Sequence, residues 1–540
     1  MTIGRVVGIS GQLISARTEG AKLYEQVFVG LSRLVGEVIR LHKDIAVIQV
    51  YEDTKGIGVG EDVVFTGKPL MVTLAPGILS QMYDGLQRPL RKLKDETGAF
   101  IYSGKQVSAV DIDKNWIFHP LKKSGSSVSE NEPIGYIEEG HFNHYIFSNR
   151  PGKITTIRQG EITIKDELCV IDDKFSIKAV TLSPVRTPKP FKKKRSLSAP
   201  IITGQRCIDF LFPIAKGGTV IFPGGFGTGK TVLEQSIAKY ADVDIVVYVG
   251  CGERGNEMSE LIADFEELKD AWTGKRLMDR TILVVNTSNM PVSAREASIY
   301  TAVTMAEYYR DMGYNVLLLA DSLSRWAEAL REISSSLEEM PGEEGYPTYL
   351  ASRLANFCER AGVVETLSGK EGSLTMLLSV SPPGGDFTEP VTQAALRVAG
   401  GFIMLDRELA HRRHFPAINY FRSYTLFEKE AISYFADKFG KEWQSLFIKV
   451  KQFLKEEEKL REIIEIVGVE GLNDRDRLLI ITAEKIKSEF LCQNAFTKDA
   501  FSPPKETLYK IKKIFDFHNN VFKKMEEGKT LKEALENEVI

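Results

Sequence analysis

The chain has 540 residues, which is more than a single hydrophobic core organises, so we expect several domains. A formal net charge of -3, with 43% hydrophobic and 26% charged residues, is ordinary for a globular protein and excludes an overall basic surface for nucleic acid. No apolar run approaches the roughly 18 residues that span a bilayer. The start of the chain lacks the pattern of a secretory signal, so we expect a cytoplasmic protein.

Short strands separated by glycines fill residues 1–70, as at Val6–Ser10 and Ile45–Val50. This spacing predicts a small N-terminal β-barrel. Residues 71–109 then lead towards a core, and residues 110–185 repeat the strand-rich pattern, which predicts a second β-rich module.

Residues 186–425 have a different pattern, in which buried-type strands alternate with helical stretches. Continuous apolar strands between helices predict a parallel sheet covered on both faces, with ligands at the carboxyl ends of the strands. The proline- and lysine-rich segment 183–195 before it is interpreted as an extended connector, with a basic nucleic-acid patch as the alternative. Residues 426–540 are predicted to be mostly helical.

The segment Gly224–Thr231 fits the pattern G-x-x-x-x-G-K-[ST], with a β-branched run before it and a helical stretch after it. This context predicts a phosphate-binding loop, whose backbone N–H groups and helix start attract an anion. Lys230 would reach the β- and γ-phosphates and Thr231 would ligate Mg²⁺. A glycine-rich turn with a nearby lysine is the alternative. The predicted nucleotide-contacting residues are Gly224, Gly225, Phe226, Gly227, Thr228, Gly229, Lys230, Thr231 and Val232.

Two acidic residues follow predicted strands downstream of this loop. Asp321 ends the apolar run Val316–Ala320, and a carboxylate in that place holds Mg²⁺ in phosphate-loop enzymes, although it could also cap the next helix. Glu253 follows the strand Ile245–Val249 and is the best candidate for the base that deprotonates an attacking water. Its neighbour Arg254 would stabilise charge or fix the loop, and an ion pair that only anchors the loop is the alternative.

Aromatic, histidine and cysteine residues complete the set of candidates. Phe415 could cover the flat face of a nucleotide base, although its spacing alone equally fits core packing. His411 and His414 lie beside arginines, which favours the rim of a site over metal binding. The five cysteines are scattered and form no C-x-x-C pair, which argues against a disulfide framework or a zinc site.

Several longer motifs stand out at 202–206 with 213–218, Gly252–Glu257, Ala320–Glu332, Met340–Pro347 and Ser381–Gln393. Together they resemble the catalytic A-subunit family of the V-type (vacuolar, archaeal and bacterial) rotary ATPases, and the resemblance runs over about residues 3–500. The β-rich module at 110–185 is similar to the insertion that marks these A subunits.

The resemblance implies a multidomain fold with a RecA-type phosphate-loop sheet, an N-terminal barrel, a β-rich insertion and a C-terminal helical domain. It implies an alternating ring of three A and three B subunits, with ATP or ADP and Mg²⁺ at the A–B interface and an arginine finger supplied by B. A central rotor stalk, a peripheral stalk and, indirectly, a membrane sector would be further partners, and turnover would be coupled to H⁺ or Na⁺ transport.

By matching positions, the resemblance makes Glu253 the general base, with Lys230 and Arg254 as further catalytic residues. Thr231 and Asp321 would serve the metal, while Phe415 and Phe496 would enclose the adenine. The chain departs from some family members at Thr228, where they carry cysteine, so a disulfide switch cannot operate there.

Two rival functions remain at this point. A Rho-like hexameric helicase would use the same sheet but would need RNA-dependent turnover, which the balanced charge does not favour. A ring protein that binds nucleotide only as a scaffold would not need Glu253 and Asp321 beside an intact phosphate loop.

Overall fold

The structure, a computed structural model, describes residues 2–98, 102–468 and 471–536. The chain divides into two compact units, each made of two segments. The first unit contains residues 1–196 and 243–398, and the second contains residues 197–242 and 399–540.

The first unit begins with a closed six-stranded barrel of antiparallel strands, in the order β1-β2-β5-β4-β3-β6. Its strands are β1 (Thr2–Ser10), β2 (Leu13–Arg17), β3 (Glu25–Val29), β4 (Leu34–His42), β5 (Ile45–Val50) and β6 (Asp62–Pro69). Alternate residues point inward, and Val27, Ile48 and Phe65 are almost completely buried in the barrel core. Closure pairs every strand edge, so the small barrel needs no other sheet to complete it.

Residues 71–196 add a two-stranded ribbon of β7 and β17 and two four-stranded sheets, in the orders β10-β13-β15-β16 and β12-β11-β9-β14. The elements are β7 (Met71–Leu74), β8 (Met82–Tyr83), α1 (Leu90–Thr97), β9 (Trp116–Pro120), β10 (Ser127–Val128), β11 (Pro133–Glu139), β12 (Phe142–Phe147), β13 (Gly152–Ile157), β14 (Gly160–Ile162), β15 (Glu167–Ile171), β16 (Phe175–Lys178), β17 (Thr181–Pro184) and β18 (Lys193–Arg195). The segment 183–195, predicted as a connector, therefore contains strand residues at both ends.

A buried histidine attaches these sheets to the rest of the first unit. The two ring nitrogens of His144 hydrogen-bond with Glu139 Oε2 at 2.9 Å and with the Tyr308 hydroxyl at 2.7 Å. A buried polar group is costly unless it finds such partners, so this arrangement fixes the position of the insertion on the helix that carries Tyr308.

In the second unit, residues 197–242 form α2 (Arg206–Leu211), β19 (Thr219–Pro223) and α3 (Lys230–Tyr240). Every residue of β19 is buried, as expected for a strand in the interior of an α/β sheet. The change from strand to helix takes only the six residues 224–229, and this tight connection is the predicted phosphate loop.

Residues 243–398 of the first unit form a parallel sheet with strands in the order β24-β22-β20-β21, and β8 extends it in parallel beside β21. On the other side, β23 pairs antiparallel with β24, and β18 pairs antiparallel with β23. Arg186 ties the barrel to this region, because its guanidinium binds Glu37 at 2.8 Å and Glu296 at 2.7 Å. The elements are β20 (Ile245–Cys251), α4 (Gly255–Glu267), β21 (Thr281–Asn286), α5 (Val292–Asp311), β22 (Asn315–Asp321), α6 (Leu323–Ser336), α7 (Leu350–Cys358), β23 (Gly362–Glu365), β24 (Glu371–Val380) and α8 (Pro390–Val398).

In the second unit, residues 399–536 pair β25 in parallel with β19 and antiparallel with β26, and then continue as helices. The elements are β25 (Gly401–Phe402), α9 (Arg407–His411), β26 (Tyr424–Thr425), α10 (Glu428–Phe439), α11 (Glu442–Val467), α12 (Asp474–Lys485), α13 (Pro504–Glu526) and α14 (Leu531–Leu535). In the described ranges, no helix is both long and apolar enough to cross a membrane.

Candidate functional site

The predicted phosphate loop connects β19 to α3 in the second unit. Gly227 and Gly229 have φ angles of 77° and 82°, in the left-handed region that favours glycine. Gly229 is the N-cap residue, so Lys230 and Thr231 are the first two residues of α3. The first N–H groups of a helix have no acceptor within the helix, and they lie at the positive end of its dipole. The glycines therefore lie where the chain turns sharply into the start of α3, and that helix start attracts anions.

Internal hydrogen bonds hold the loop closed. The Lys230 ammonium donates to the Gly224 carbonyl and, at 3.5 Å, to the Gly225 carbonyl. The buried Thr228 hydroxyl donates to the same Gly225 carbonyl at 2.8 Å. A side chain at Gly225 would meet the Arg407 guanidinium, whose Nε would lie 2.2 Å from an added Cβ. The backbone thus closes around the place where Lys230 would meet a phosphate.

A cavity of about 580 Å³ lies beside this loop within the second unit. It is lined by Gln205, Gly227, Thr228, Gly229, Val232, Leu233, Ser236, Leu405, Arg413, Phe415, Pro416, Ala417, Cys492, Gln493, Asn494, Ala495 and Phe496. The structure therefore brings Val232, Phe415 and Phe496 together with the loop. Phe415 lies close to the loop, because an added Cβ at Gly229 would be 3.4 Å from its ring. Phe226, in contrast, is 81% exposed.

The side chains that line the cavity around Phe415 are uncharged apart from Arg413. Burial, with a smaller effect of Lys487, lowers the pKa of the neighbouring His414 to about 4, so its imidazole is neutral near pH 7. Its Nε2 hydrogen-bonds with the Tyr420 hydroxyl at 2.7 Å. His411 is exposed at the end of α9. Aromatic surfaces next to neutral polar groups suit the flat face of a nucleotide base.

The two acidic candidates belong to the first unit, where they end neighbouring strands of the parallel sheet. Asp321 is the last residue of β22 and pairs in register with Gly250 of β20, and Glu253 follows β20 by two residues. Asp321 is 4% exposed and accepts a hydrogen bond from the Tyr248 hydroxyl at 3.5 Å. The carboxyl ends of two adjacent parallel strands thus carry the two carboxylates, at the edge where such sheets bind ligands.

Gly252 shapes the turn that carries Glu253. Its φ angle is 75°, and an added Cβ would lie 2.7 Å from Arg325 Cβ and 3.0 Å from Arg295 Cδ. A larger residue would therefore be strained twice, through its backbone and through contact with two arginine side chains. The glycine keeps Glu253 close to the strand end.

The environment of Glu253 favours its protonated form. Burial raises its pKa to about 7, and the negative charges of Asp321 and Glu257 act in the same direction, while Arg325 opposes them. A carboxyl group with a pKa near neutrality can both accept and release a proton at pH 7. This property distinguishes it from an ordinary surface glutamate.

Arg254 lies beside Glu253 but is much more open to solvent. Its guanidinium is 4.0 Å from Glu257, and its side chain is 68% exposed. An exposed ion pair at this distance is worth at most about 1 kcal/mol, so the pair itself does little to hold the loop.

Several residues around these candidates have no assigned role in the sequence prediction. Gln205, Arg413 and Cys492 line the cavity, and Arg325 and Glu257 act on Glu253. Gln205, Glu257 and Arg325 are part of the motifs that carry the family resemblance, so a signal existed for them. Arg413 and Cys492 carry no local pattern, because their proximity to the loop arises only from the fold.

The residues present suit a triphosphate and a hard divalent cation. The Thr231 hydroxyl at the start of α3 and the Asp321 carboxylate are both oxygen donors, which Mg²⁺ prefers. Among the residues that the structure describes, no group of three or more His, Cys, Asp and Glu side chains could hold a metal ion by itself. A cation bound at either residue would take much of its coordination from phosphate oxygens and water, as Mg²⁺ commonly does with nucleotides.

Comparison with known proteins agrees with this arrangement. Four family models match the chain: the ATP synthase alpha/beta family beta-barrel domain at residues 6–67, its barrel-sandwich domain at 107–186, its nucleotide-binding domain at 204–425, and the C-terminal domain of V and A type ATP synthase at 433–535. The succession of a barrel, a β-rich insertion, an α/β nucleotide-binding domain and a C-terminal helical domain is thereby confirmed.

A solved structure, the assembled ATPase EscN from the type III secretion system of enteropathogenic E. coli, has a TM-score of 0.69. It covers 95% of this chain and 99% of its own, but at 23% identity it supports the fold alone.

Curated relatives resemble the chain over nearly its full length. The A subunit of the A-type ATP synthase of Methanopyrus kandleri is 49% identical over 99% of this chain and 93% of its own. The V-type ATP synthase alpha chain of Clostridium botulinum strain Hall is 47% identical over 100% of this chain and 93% of its own. The resemblance found from sequence motifs is thus confirmed, and the chain belongs to the A-subunit family of the A-type and V-type ATP synthases.

Proposed function

We propose that the chain is the catalytic subunit of a rotary ATPase that hydrolyses or synthesises ATP with Mg²⁺ and couples this to H⁺ or Na⁺ transport. The observation that carries the proposal is the phosphate loop at the start of α3, which shares one cavity with Phe415 and Phe496. Full-length similarity to A subunits of ATP synthases supports the same function.

In this proposal the second unit holds the nucleotide. Backbone N–H groups of residues 224–231 bind the β- and γ-phosphates, and Lys230 exchanges its bonds to the Gly224 and Gly225 carbonyls for phosphate oxygens. Thr231 and Asp321 would hold Mg²⁺, which when bound neutralises part of the phosphate charge. Phe415 and Phe496 cover the adenine, and Val232 contributes to the cavity wall beside the loop.

The first unit supplies the proton acceptor. Glu253 in its ionised form orients a water molecule and accepts its proton as the oxygen attacks the γ-phosphorus and the bond to the β-phosphate oxygen breaks. A pKa near 7 suits this role, because the group is partly ionised at neutral pH yet basic enough to take the proton. Arg254 would stabilise negative charge that develops on the phosphate.

We further propose that the site is completed by another protein of the ring. The resemblance implies an alternating ring with B subunits that provide an arginine in trans, around a central rotor stalk, at the cytoplasmic face of a membrane sector. The barrel of β1–β6 would join neighbouring subunits in a crown, and the insertion of β9–β16 would meet a peripheral stalk.

ATPase activity of the chain alone and with its B-type partner tests the shared site. An arginine in trans contributes about 10³–10⁵ in rate, so the chain alone should be a poor ATPase and the complex a good one. Full activity without the partner would contradict a site completed between subunits. Tight, salt-sensitive RNA binding with RNA-dependent turnover would instead favour the helicase.

Deletion of residues 115–180 tests the role of the insertion. The remaining complex should hydrolyse ATP but lose the peripheral stalk, as measured by co-purification of stalk subunits. Retention of the stalk in the deletion complex would contradict the assignment.

A further inference from the structure

A buried arginine lies behind one wall of the base cavity in the second unit. Arg206, the first residue of α2, is 1% exposed. Its Nε donates to the Phe490 carbonyl at 2.7 Å and its Nη2 to the Cys492 carbonyl at 2.7 Å. Its Nη1 and Nη2 also donate to the two oxygens of Asp499, at 2.5 and 2.8 Å. One guanidinium therefore binds the chain on both sides of residues 493–498.

Gln493 forms a second connection at the same place. Its Oε1 accepts from the Arg206 backbone N–H at 2.8 Å, and its Nε2 donates to the Gly204 carbonyl at 2.8 Å. Its own backbone N–H donates to the Phe415 carbonyl at 2.7 Å. The segment that begins at Cys492 is thus fixed both to the start of α2 and to Phe415, which also lines the cavity.

Phe496 lies between these two attachment points. Its ring is 87% exposed, so burial does not fix its position. Its backbone N–H donates to Asn494 Oδ1 at 2.9 Å, which is a contact within the same turn. The position of the turn, and with it the width of the cavity between Phe415 and Phe496, depends on how the ends of the segment are held.

We propose that Arg206 and Asp499 are positioning residues for the nucleotide base: they hold residues 492–499 where Phe496 and Phe415 can enclose a purine ring. The inference rests on the proposed ATPase function and assigns to it a determinant of base affinity and selectivity. Neither side chain is proposed to touch the phosphates or the attacking water.

The chemistry of the pair suits this role. A buried guanidinium is stable only when its donors are satisfied, and a fork-shaped pair with a carboxylate fixes orientation as well as distance. Burial alone would raise the pKa of Asp499, but hydrogen bonds from Arg206 and Lys510 hold it at about 2. The pair therefore stays ionised throughout the pH range in which a cellular ATPase works.

Two variants in the assembled complex test the proposal. Asp499→Asn removes one charge from a side chain that is about a third exposed, and Arg206→Lys keeps the charge but cannot make the forked contacts. Both should raise the KM for ATP about threefold with kcat nearly unchanged, since only binding is weakened. The preference for ATP over GTP, as the ratio of kcat/KM values, should fall in parallel. Asp499→Glu should recover part of the lost affinity and preference.

Arg461→Gln is the matched control. Arg461 also forms ion pairs in the second unit, with Glu457 and Glu484, but does not contact residues 490–499 in any bond that the structure records. A purely structural effect of losing an arginine pair would appear in this variant as a lower unfolding temperature, with the KM for ATP and the ATP preference unchanged.

The outcomes separate this inference from the proposed function. If the wild-type complex turns over ATP while Asp499→Asn and Arg206→Lys keep its KM and base preference, the positioning role is wrong. A fall of kcat with unchanged KM would also overturn it. If the Arg206→Lys complex does not assemble, the KM for ATP and the base preference of Asp499→Asn and Asp499→Glu decide whether the positioning role holds. Absence of ATP turnover in the wild-type complex would instead contradict the proposed function.

Discussion

The candidate nucleotide cavity of the second unit and the carboxylate pair of the first unit differ in the charged side chains that they contain. The cavity is lined by glycines of the loop, one arginine and two aromatic rings, and its lining contains no acidic side chain. The pair places Glu253 and Asp321 at adjacent strand ends, where burial and mutual repulsion raise the pKa of Glu253. If the proposed roles hold, nucleotide binding and proton transfer belong to different chain segments, so substitutions should separate them.

The largest effect should come from Lys230→Ala on the cavity side. Loss of the ammonium proposed to bind the β- and γ-phosphates should lower turnover by on the order of 10³-fold and weaken ATP binding as well. Lys239→Ala, at the other end of α3, is the control and should leave both unchanged. Normal turnover in the assembled Lys230→Ala complex would show that the triphosphate binds elsewhere.

Glu253→Gln should separate reaction from binding. The amide is nearly isosteric but cannot accept the proton, so turnover should fall roughly 10²–10³-fold. ATP affinity, measured by equilibrium binding to the complex, should change little, because the cavity is intact. Unchanged turnover would favour the scaffold role over the catalytic one.

Phe415→Leu should act on affinity rather than on the reaction. Stacking of a base on an aromatic ring is worth about 1–3 kcal/mol, so the KM for ATP should rise about tenfold at nearly constant kcat. Phe496→Leu should have a smaller effect because that ring is more exposed. Phe421→Leu, which changes an exposed ring outside the cavity lining, is the control. A fall in kcat alone would argue against base contact.

The smallest effect concerns the pH profile. Since Glu253 must be ionised to accept a proton, kcat/KM should fall as the pH drops below about 7, the pKa in the free enzyme. Glu257→Gln removes a neighbouring negative charge, so it should lower that pKa and move the midpoint to lower pH. A midpoint that does not respond to Glu257→Gln would contradict the assignment of the titration to Glu253.

Much of this fold could be predicted because its signals are local. The strands Ile45–Val50, Ile245–Cys251 and Asn315–Asp321 occur where alternating or apolar runs predict them, since burial on one or both faces of a sheet imposes those patterns. The boundaries of the five predicted domains stay a prediction.

The phosphate loop could be predicted for a related reason. It is built by the backbone of consecutive residues, so the glycines that permit its conformation are adjacent in the chain.

The amino-acid sequence by itself determined the loop, the strand-end positions of Glu253 and Asp321, and membership of the family. Only the tertiary structure decided which residues far apart in the chain contact one another. Arg206 binds Asp499 across 293 positions, and no periodicity relates two such residues. The raised pKa of Glu253 likewise depends on burial and on charges from other elements, because desolvation and Coulomb interactions act through space and not along the chain.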